Sequence, residues 1–211
     1  MPGLFITFEG GEGTGKSSHA RRLKERLEEA GSSVVLTREP GGSPGAEDLR
    51  RLLVSGKPDR WSADAETLLN YAARDAHLRE TIRPALQRGE TVLCDRFMDS
   101  TRVYQGIAGG GDMVLIDVLE EQIVGDARPA LTLVLDIDTS RGLERAKGRA
   151  PDGEDRFERK GTAYHRKIRD GFLEVARRDP KRCRVIDTSR DSEEVAREIW
   201  TCVAAVAGLT P

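Results

Sequence analysis

The stretch EGGEGTGKSS, residues 9–18, follows a short apolar run at residues 4–8 and precedes a segment with leucines at helical spacing. It fits the pattern G-x-x-x-x-G-K-[ST], in which a glycine-rich loop joins a buried strand to a helix and turns its backbone N–H groups around a phosphate. The following helix adds the positive end of its dipole. A strand-to-helix turn without a ligand is the alternative, but the flanking strand and helix patterns favour a phosphate-binding loop.

The residue types in this loop predict which groups contact a nucleoside triphosphate. Lys16 would reach the β- and γ-phosphates, and Ser17 would ligate Mg²⁺. The predicted phosphate contacts are Gly10, Gly11, Glu12, Gly13, Thr14, Gly15, Lys16, Ser17 and Ser18. The loop predicts a bound triphosphate, but by itself it does not tell what reaction follows.

The composition is typical of a globular protein without affinity for polyanions or membranes. The 211 residues include 34 basic and 36 acidic side chains, which gives a net charge of −2. No global field therefore attracts a nucleic acid polymer or a membrane surface, so any affinity for phosphate must be local. The three cysteines are widely spaced, and the chain has neither a signal-like opening nor an apolar run of membrane-spanning length. We expect a cytoplasmic protein without a disulfide framework or a zinc site.

Short apolar runs alternate with longer helical patterns along the chain. The predicted strands lie at residues 4–8, 34–37, 91–94, 131–135 and 184–186. The predicted helices lie at about residues 16–30, 45–55, 64–88, 112–125, 139–147, 156–178 and 192–206. Apolar strands separated by helices predict an α/β fold with a five-stranded parallel sheet and helices on both faces. No linker or repeat interrupts the pattern, so we expect one domain over residues 1–211.

The carboxyl ends of the predicted strands carry charged residues, and ligands of such sheets bind there. Asp95 closes the third strand, where a carboxylate can lie beside Mg²⁺ bound at the phosphate loop. Ser17 and Asp95 are therefore the predicted metal ligands, although an aspartate that caps a strand is the structural alternative. Arg96 follows Asp95 where a motor ATPase would need a base to activate water, so a motor ATPase is disfavoured.

Three other segments carry candidate residues, each with a structural alternative. The predicted helix at 64–88 contains Arg74, which could also be a helix surface arginine, and Tyr104 with Gln105 could pack against a sugar or base or belong to the core. Residues 141–158 pass from a basic helix through a loop with glycine and proline into another helix. Arginines of such a loop could close over the triphosphate, exclude water and neutralise charge in the transition state. A solvated basic helix end is the structural alternative.

Six motifs occur in order along the chain: EGGEGTGK at 9–16, TREPGG at 37–42, AAR at 72–74, DRF at 95–97, DSTRVYQG at 99–106 and DRFE at 155–158. In these motifs and their approximate spacing, the chain resembles the thymidylate kinases of bacteria. The resemblance implies the fold of P-loop nucleoside monophosphate kinases and transfer of the ATP γ-phosphate to thymidine monophosphate (dTMP), with Mg²⁺, for dTTP synthesis. It also implies a homodimer.

The resemblance further implies roles for individual residues. Glu12 would approach the sugar 3′-hydroxyl, Arg38 and Arg96 would hold the acceptor phosphate, Arg74 would address the thymine edge, and Tyr104 would lie against the deoxyribose. The implied substrate contacts are Glu12, Arg38, Asn70, Tyr71, Arg74, Arg96, Ser100, Tyr104 and Gln105. The implied catalytic residues are Glu12, Lys16, Asp95, Arg96, Arg145 and Arg149.

The resemblance also implies where the catalytic arginine lies, because in this family it sits either in the phosphate loop or in a lid. Loop positions 11–14 have no basic residue, so a lid at about 148–156 must supply the arginine. Arg149 is the first choice and Arg145 the second. Asn70 stands where the family usually has a phenylalanine that stacks on thymine, a contact worth roughly 1–3 kcal/mol. Either Tyr71 or another side chain covers the base, or affinity is lower.

Three other functions are compatible with a phosphate loop. The nearest alternative is a kinase for another nucleotide, such as uridylate or another deoxynucleoside monophosphate. Tyr104 and Arg74 favour dTMP as the substrate over these nucleotides. A GTPase switch would usually carry [N/T]-K-x-D, which is absent from the sequence. A degenerate nucleotide binder with an interaction role is disfavoured because Lys16, Ser17 and Asp95 are intact.

Overall fold

A parallel sheet forms the centre of the structure, a computed structural model that describes residues 3–147, 156–157 and 160–209. Within these residues, five strands pair in parallel in the order β2-β3-β1-β4-β5. The strands are β1 Phe5–Glu9, β2 Val34–Arg38, β3 Thr91–Asp95, β4 Leu131–Asp136 and β5 Cys183–Asp187. The prediction of a five-stranded parallel sheet is confirmed.

Helices connect the strands. They are α1 Lys16–Glu29, α2 Pro44–Val54, α3 Ala63–His77, α4 Arg83–Gln87, α5 Met98–Thr101, α6 Met113–Leu119, α7 Thr139–Ala146, α8 Thr162–Arg178 and α9 Ser192–Ala207. Wider π-type turns continue α3 into α4 at Leu78–Ile82, α5 over Arg102–Ile107 and α6 over Glu120–Val124. None of the helices in the described residues is long and apolar enough to cross a membrane.

One predicted helix boundary is wrong, and one helix was not predicted. The predicted helix at 156–178 begins only at Thr162, because residues 156–157 form a turn whose Arg156 side chain points inward and bonds backbone carbonyls. The helix at 98–107 was not predicted, since its threonine, valine and glycine residues have modest or low helix propensity. Burial of Met98 and Val103 stabilises it instead.

Both faces of the sheet are covered by apolar side chains. Ile6 and Phe8 of β1 pack against α1 and α9, whereas Phe5 packs on the opposite face against Leu78 and Ile116. Successive side chains of a strand point to opposite faces, and each fully buried one contributes about 1.5–3 kcal/mol. This explains why the strands read as continuous apolar runs.

The strand register brings the predicted motifs to one edge of the sheet. Phe8 of β1 pairs with Asp95 of β3, and Arg38 of β2 pairs with the same residue from the other side. The phosphate loop therefore begins immediately beside the end of β3. The backbone N–H of Arg96 donates to the carbonyl of Phe8 at 2.9 Å, which fixes this junction.

Candidate functional site

The phosphate loop between β1 and α1 is held in a conformation that requires glycine. Gly10 has φ +134° and Gly13 has φ +69°. A Cβ atom at Gly10 would lie 2.2 Å from the carbonyl oxygen of Leu135, and one at Gly13 would lie 1.9 Å from that of Gly142. The loop backbone thus packs directly on the end of β4 and on α7, and a side chain at either glycine would displace it.

Lys16 reaches back across the loop. Its Nζ donates to the carbonyls of Gly11 at 2.8 Å and Gly10 at 3.1 Å, and the side chain is buried. Burial, together with repulsion from Arg96, lowers the pKa of Lys16 to about 8. A phosphate anion in the loop would favour the charged form and supply the counter-charge that this ammonium lacks.

Ser17 and Asp95 meet at the mouth of the loop. The Ser17 hydroxyl donates to Asp95 Oδ2, and both side chains line a cavity of about 410 Å³, here called the loop cavity. Hydroxyl and carboxylate oxygens suit Mg²⁺, which usually binds through one or two carboxylates and substrate phosphates. Among the described residues, no group of three or more His, Cys, Asp or Glu side chains could hold a metal. The pair therefore fits Mg²⁺ bound together with phosphates.

Glu12 and Arg96 form an ion pair at the edge of the loop cavity. Arg96 Nη2 donates to Glu12 Oε1 at 2.9 Å, and the Tyr104 hydroxyl donates to the same oxygen at 2.8 Å. Burial alone would raise the pKa of Glu12, but Arg96 and Lys16 outweigh it and lower the pKa to about 2. Glu12 is therefore an ionised hydrogen-bond acceptor at any physiological pH.

The backbone at Arg96 is unusual. Arg96 has φ +70°, the one positive φ of a non-glycine residue among the described residues, which costs about 1–3 kcal/mol and persists only where the surroundings impose it. Glu9 imposes it: this buried carboxyl group accepts the N–H of Phe97 at 2.8 Å and the hydroxyl of Ser100 at 2.6 Å. The Ser100 hydroxyl in turn lies 3.3 Å from Arg96 Nη1.

Glu9 was not predicted as a site residue. Burial, with a contribution from Asp99, raises its pKa to about 8. An acid at the last position of a buried strand was the available signal, because carboxylates are rarely buried without a specific partner.

A second cavity, of about 350 Å³ and here called the side-chain cavity, adjoins the loop cavity. Both are lined by Glu12, Ser17 and Arg96. The side-chain cavity has an apolar wall formed by Pro40, Leu53 and Val54. Its polar lining consists mainly of Glu39, Arg50, Asn70, Arg74, Ser100, Thr101, Tyr104 and Gln105. This combination and size are typical of a small-molecule site.

Arg74 lies in the wall of the side-chain cavity with one nitrogen unused. Its Nε donates to Glu39 Oε2 at 2.8 Å and its Nη2 to Thr101 at 3.1 Å, whereas the buried Nη1 has no hydrogen-bond partner. The other oxygen of Glu39 lies 3.0 Å from His77 Nδ1. The alternative of a helix surface arginine is thus wrong. A buried donor without a partner costs about 1–3 kcal/mol, which a ligand acceptor would recover.

Two amides complete the polar lining. Gln105 Nε2 donates to Glu66 Oε2 at 2.8 Å, so its carbonyl oxygen stays available as an acceptor. Asn70 Nδ2 donates to the Glu66 backbone carbonyl at 2.8 Å. The other Glu66 oxygen accepts from buried Arg156, which also donates to the carbonyls of Leu53 and Lys57. Arg156 thereby ties the end of α2 to α3 behind the cavity.

Tyr71 lies in the core rather than in the site. It is 1% exposed and clusters with Phe5, Leu78 and Phe97, and it lines neither cavity. This position contradicts the expectation that Tyr71 covers the base. The aromatic rings that do line the side-chain cavity are Phe97, Tyr104 and Phe157.

Two of the arginines that were predicted as site residues, Arg38 and Arg145, border neither cavity. Arg38 is exposed, pairs with Glu47 at 3.2 Å and lines neither cavity, whereas Arg50, which was not predicted, lines the side-chain cavity. Arg145 donates to the Thr188 carbonyl at 3.2 Å and does not line the loop cavity. Arg149 and most of the predicted lid lie outside the described residues.

Comparison with known proteins shows one consistent family. The family model described as thymidylate kinase matches residues 8–199. A thymidylate kinase of Caulobacter vibrioides is 54% identical over 207 residues, covering 98% of this chain and 99% of the relative. One of Ruegeria pomeroyi is 53% identical and covers 95% of this chain and 94% of the relative.

A solved structure shows the same similarity in three dimensions. The crystal structure of a thymidylate kinase from Ehrlichia chaffeensis superposes with a TM-score of 0.79 at 32% sequence identity. The match covers 96% of this chain and 100% of that one. The similarity therefore extends over nearly the whole chain.

Proposed function

The chain belongs to the thymidylate kinase family, and we infer that it transfers the γ-phosphate of ATP to dTMP, giving thymidine diphosphate for dTTP synthesis. One observation carries the assignment to particular residues. The loop cavity and the side-chain cavity share Glu12, Ser17 and Arg96, so a donor phosphate and an acceptor phosphate can meet between them. We propose that residues 1–211 form a single kinase domain around this junction.

We propose in-line transfer in which the protein positions two phosphates and neutralises their charge. Lys16 and the loop backbone hold the β- and γ-phosphates, and Arg96 holds the acceptor phosphate from the opposite side. Ser17 and Asp95 would hold Mg²⁺, which would supply positive charge to offset the negative charge that develops on the phosphates. Arg38 would have to exchange its pair with Glu47 to join Arg96 at the acceptor phosphate.

The base and sugar fit the polar groups of the side-chain cavity. The free Nη1 of Arg74 can donate to the thymine O4, and the free oxygen of Gln105 can accept from the adjacent N3–H. Cytosine presents an amino donor where thymine has O4, so it would meet the Arg74 donor unfavourably. The ionised Glu12 accepts from the 3′-hydroxyl, and Tyr104 occupies the space a 2′-hydroxyl would need.

The catalytic arginine is proposed to be Arg149, because the phosphate loop carries no arginine. Arg145 is the second candidate, and it would first have to release the Thr188 carbonyl. An arginine that neutralises transition-state charge in phosphoryl transfer contributes ~10³–10⁵ in rate.

We also propose a homodimer located in the cytoplasm. Leu68 of α3 and Val114 and Val118 of α6 are 51%, 69% and 53% exposed, the two helices contact each other, and these three side chains line neither cavity. A second copy that covers these side chains would remove apolar surface from water. Sedimentation tests this: a monomer at micromolar concentration would contradict it.

The substrate assignment is tested with a panel of nucleoside monophosphates and Mg-ATP, by measuring ADP release and product identity. We expect dTMP to be used best and dUMP several-fold less well, since one buried methyl group is worth about 0.8 kcal/mol. UMP and dCMP should react much more slowly. If dTMP were no better than UMP or dCMP, the thymidylate specificity would fail while the kinase reaction would stand.

A further inference from the structure

An arginine of α1 lines the loop cavity without having been assigned a role. Arg21 lies one helical turn after Ser17, on the same face of α1, and both side chains border the loop cavity. Side chains of a helix tilt toward its N-terminus. A guanidinium at this position can therefore reach past Ser17 and Ser18 toward a phosphate in the loop.

The charge of Arg21 is unpaired. The side chain is exposed, and it forms no hydrogen bond or ion pair with any of residues 3–147, 156–157 and 160–209. Its neighbour Arg22 differs, because its guanidinium binds the carboxylate of Glu193. Two consecutive arginines of one helix thus have opposite environments, one satisfied at the surface and one free at the cavity.

The other cations of the loop cavity are already engaged. Arg96 is paired with Glu12 at 2.9 Å, and the Lys16 ammonium donates to backbone carbonyls of the loop. A triphosphate brings several negative charges into the same space. Arg21 is the cation lining this cavity, within the described residues, that can turn to the ligand without giving up a partner.

We propose that Arg21 is a phosphate-binding residue that contacts the triphosphate of ATP in the loop cavity; this rests on the kinase function proposed above. The planar guanidinium can bind two phosphate oxygens at once, which an ammonium cannot do in the same way. Because Arg21 is exposed at the edge of the loop cavity, its guanidinium is accessible to ATP bound there. Its effect falls on the donor nucleotide and not on dTMP.

The test compares three full-length variants: Arg21→Ala, Arg21→Lys and the matched control Arg22→Ala. The KM for ATP is measured at saturating dTMP, the KM for dTMP at saturating ATP, and the Kd of a non-hydrolysable ATP analogue by calorimetry. We expect Arg21→Ala to raise the KM and the Kd for the donor about tenfold or more, the size of one charge-assisted contact. Arg21→Lys should recover part of the loss, and the KM for dTMP should stay unchanged.

Arg22→Ala should leave all three constants as they are, since Arg22 pairs with Glu193 at the surface. The proposal is overturned if Arg21→Ala behaves like Arg22→Ala, or if only the KM for dTMP changes. Arg21 has no partner to lose, so thermal unfolding of Arg21→Ala should match that of the unmodified chain. If the unmodified chain phosphorylated no dTMP, the proposed function would fail, yet the calorimetric comparison would still decide the role of Arg21.

Discussion

The loop cavity and the side-chain cavity adjoin, yet they are built from different parts of the molecule. The loop cavity is bounded on one side by Glu12, Gly13 and Gly15 of the phosphate loop, and the Lys16 ammonium is held mainly by backbone carbonyls of that loop. The side-chain cavity is bounded by buried side chains that hold one another, such as Arg74 and Glu39. One site depends on backbone conformation, the other on side-chain pairs that are distant in sequence.

This difference matches the two ligands. A triphosphate offers oxygen acceptors and negative charge, which backbone N–H groups and a few cations can satisfy without reading any particular base. A nucleoside monophosphate must be distinguished by the edge of its base, which requires donors and acceptors in fixed places. The fixed Arg74 and the unpaired rim residue Arg21 illustrate the two strategies.

The largest effect is expected from a change in the loop backbone, Gly13→Ala. The new Cβ would lie 1.9 Å from the Gly142 carbonyl oxygen, at a φ of +69°. The left-handed conformation costs about 1–2 kcal/mol and the forced displacement about 1–3 kcal/mol more. We expect a destabilisation of about 2–5 kcal/mol and loss of ATP binding, measured by thermal unfolding and calorimetry.

Gly11→Ala is the matched control for that change. A Cβ at Gly11 meets nothing within 4 Å, and its φ is not in the left-handed region. Its unfolding temperature should therefore remain close to that of the unmodified chain. Equal destabilisation by both substitutions would show that close packing on α7 does not shape the loop.

A smaller and more selective effect is expected from Glu39→Gln in the side-chain cavity. The substitution keeps the size of the side chain but removes the negative charge that holds Arg74 and faces His77. We expect the KM for dTMP to rise about tenfold, as for one charge-assisted hydrogen bond, and discrimination against dCMP to weaken. The KM for ATP should not change, because Glu39 does not line the loop cavity.

Glu174→Gln controls for the loss of a carboxylate elsewhere. Glu174 pairs with Arg177 and Arg178 on the surface of α8, and such solvent-screened pairs contribute little to stability. Glu174→Gln should therefore leave the KM for ATP and the KM for dTMP unaltered. If Glu39→Gln raised the two KM values equally, Glu39 would support the whole fold rather than position Arg74.

The two cavities also differ in how far the sequence predicts them. The loop cavity is predicted by a continuous motif, and the strand pattern predicts Asp95 at the same edge of the sheet, whereas the role of Arg96 came from the family resemblance. The side-chain cavity depends on which face of a helix turns inward. Asn70 and Tyr71 are adjacent, about 100° apart around α3, and only the former lines the cavity. The periodicity of α3 does not separate the core face from the cavity face.

Long-range pairs explain the remaining misses. The carboxyl groups of Glu9 and Glu66 bind Ser100 and Arg156, which lie 91 and 90 residues away along the chain. These partners come together only when β1, α3 and the segment before α8 pack in the folded protein. A local sequence pattern therefore cannot predict them. For the same reason the sequence motifs favour Arg38 over Arg50, although only Arg50 borders the cavity.

The smallest effect is expected from pH, and it concerns the loop cavity. The pKa of Lys16 is lowered to about 8 by burial, so the ammonium loses its proton as the pH rises through 8. Bound phosphates favour the charged form, so ATP binding takes up protons and its affinity falls about fourfold between pH 7 and 8.5. Calorimetry in two buffers of different ionisation enthalpy measures this uptake. Lys16→Met is the control, and it must abolish this proton uptake. Glu9, whose pKa is also raised to about 8, is present in both the unmodified chain and the variant, so its titration cannot account for a difference between them. Uptake that persisted in Lys16→Met would assign the proton to another group.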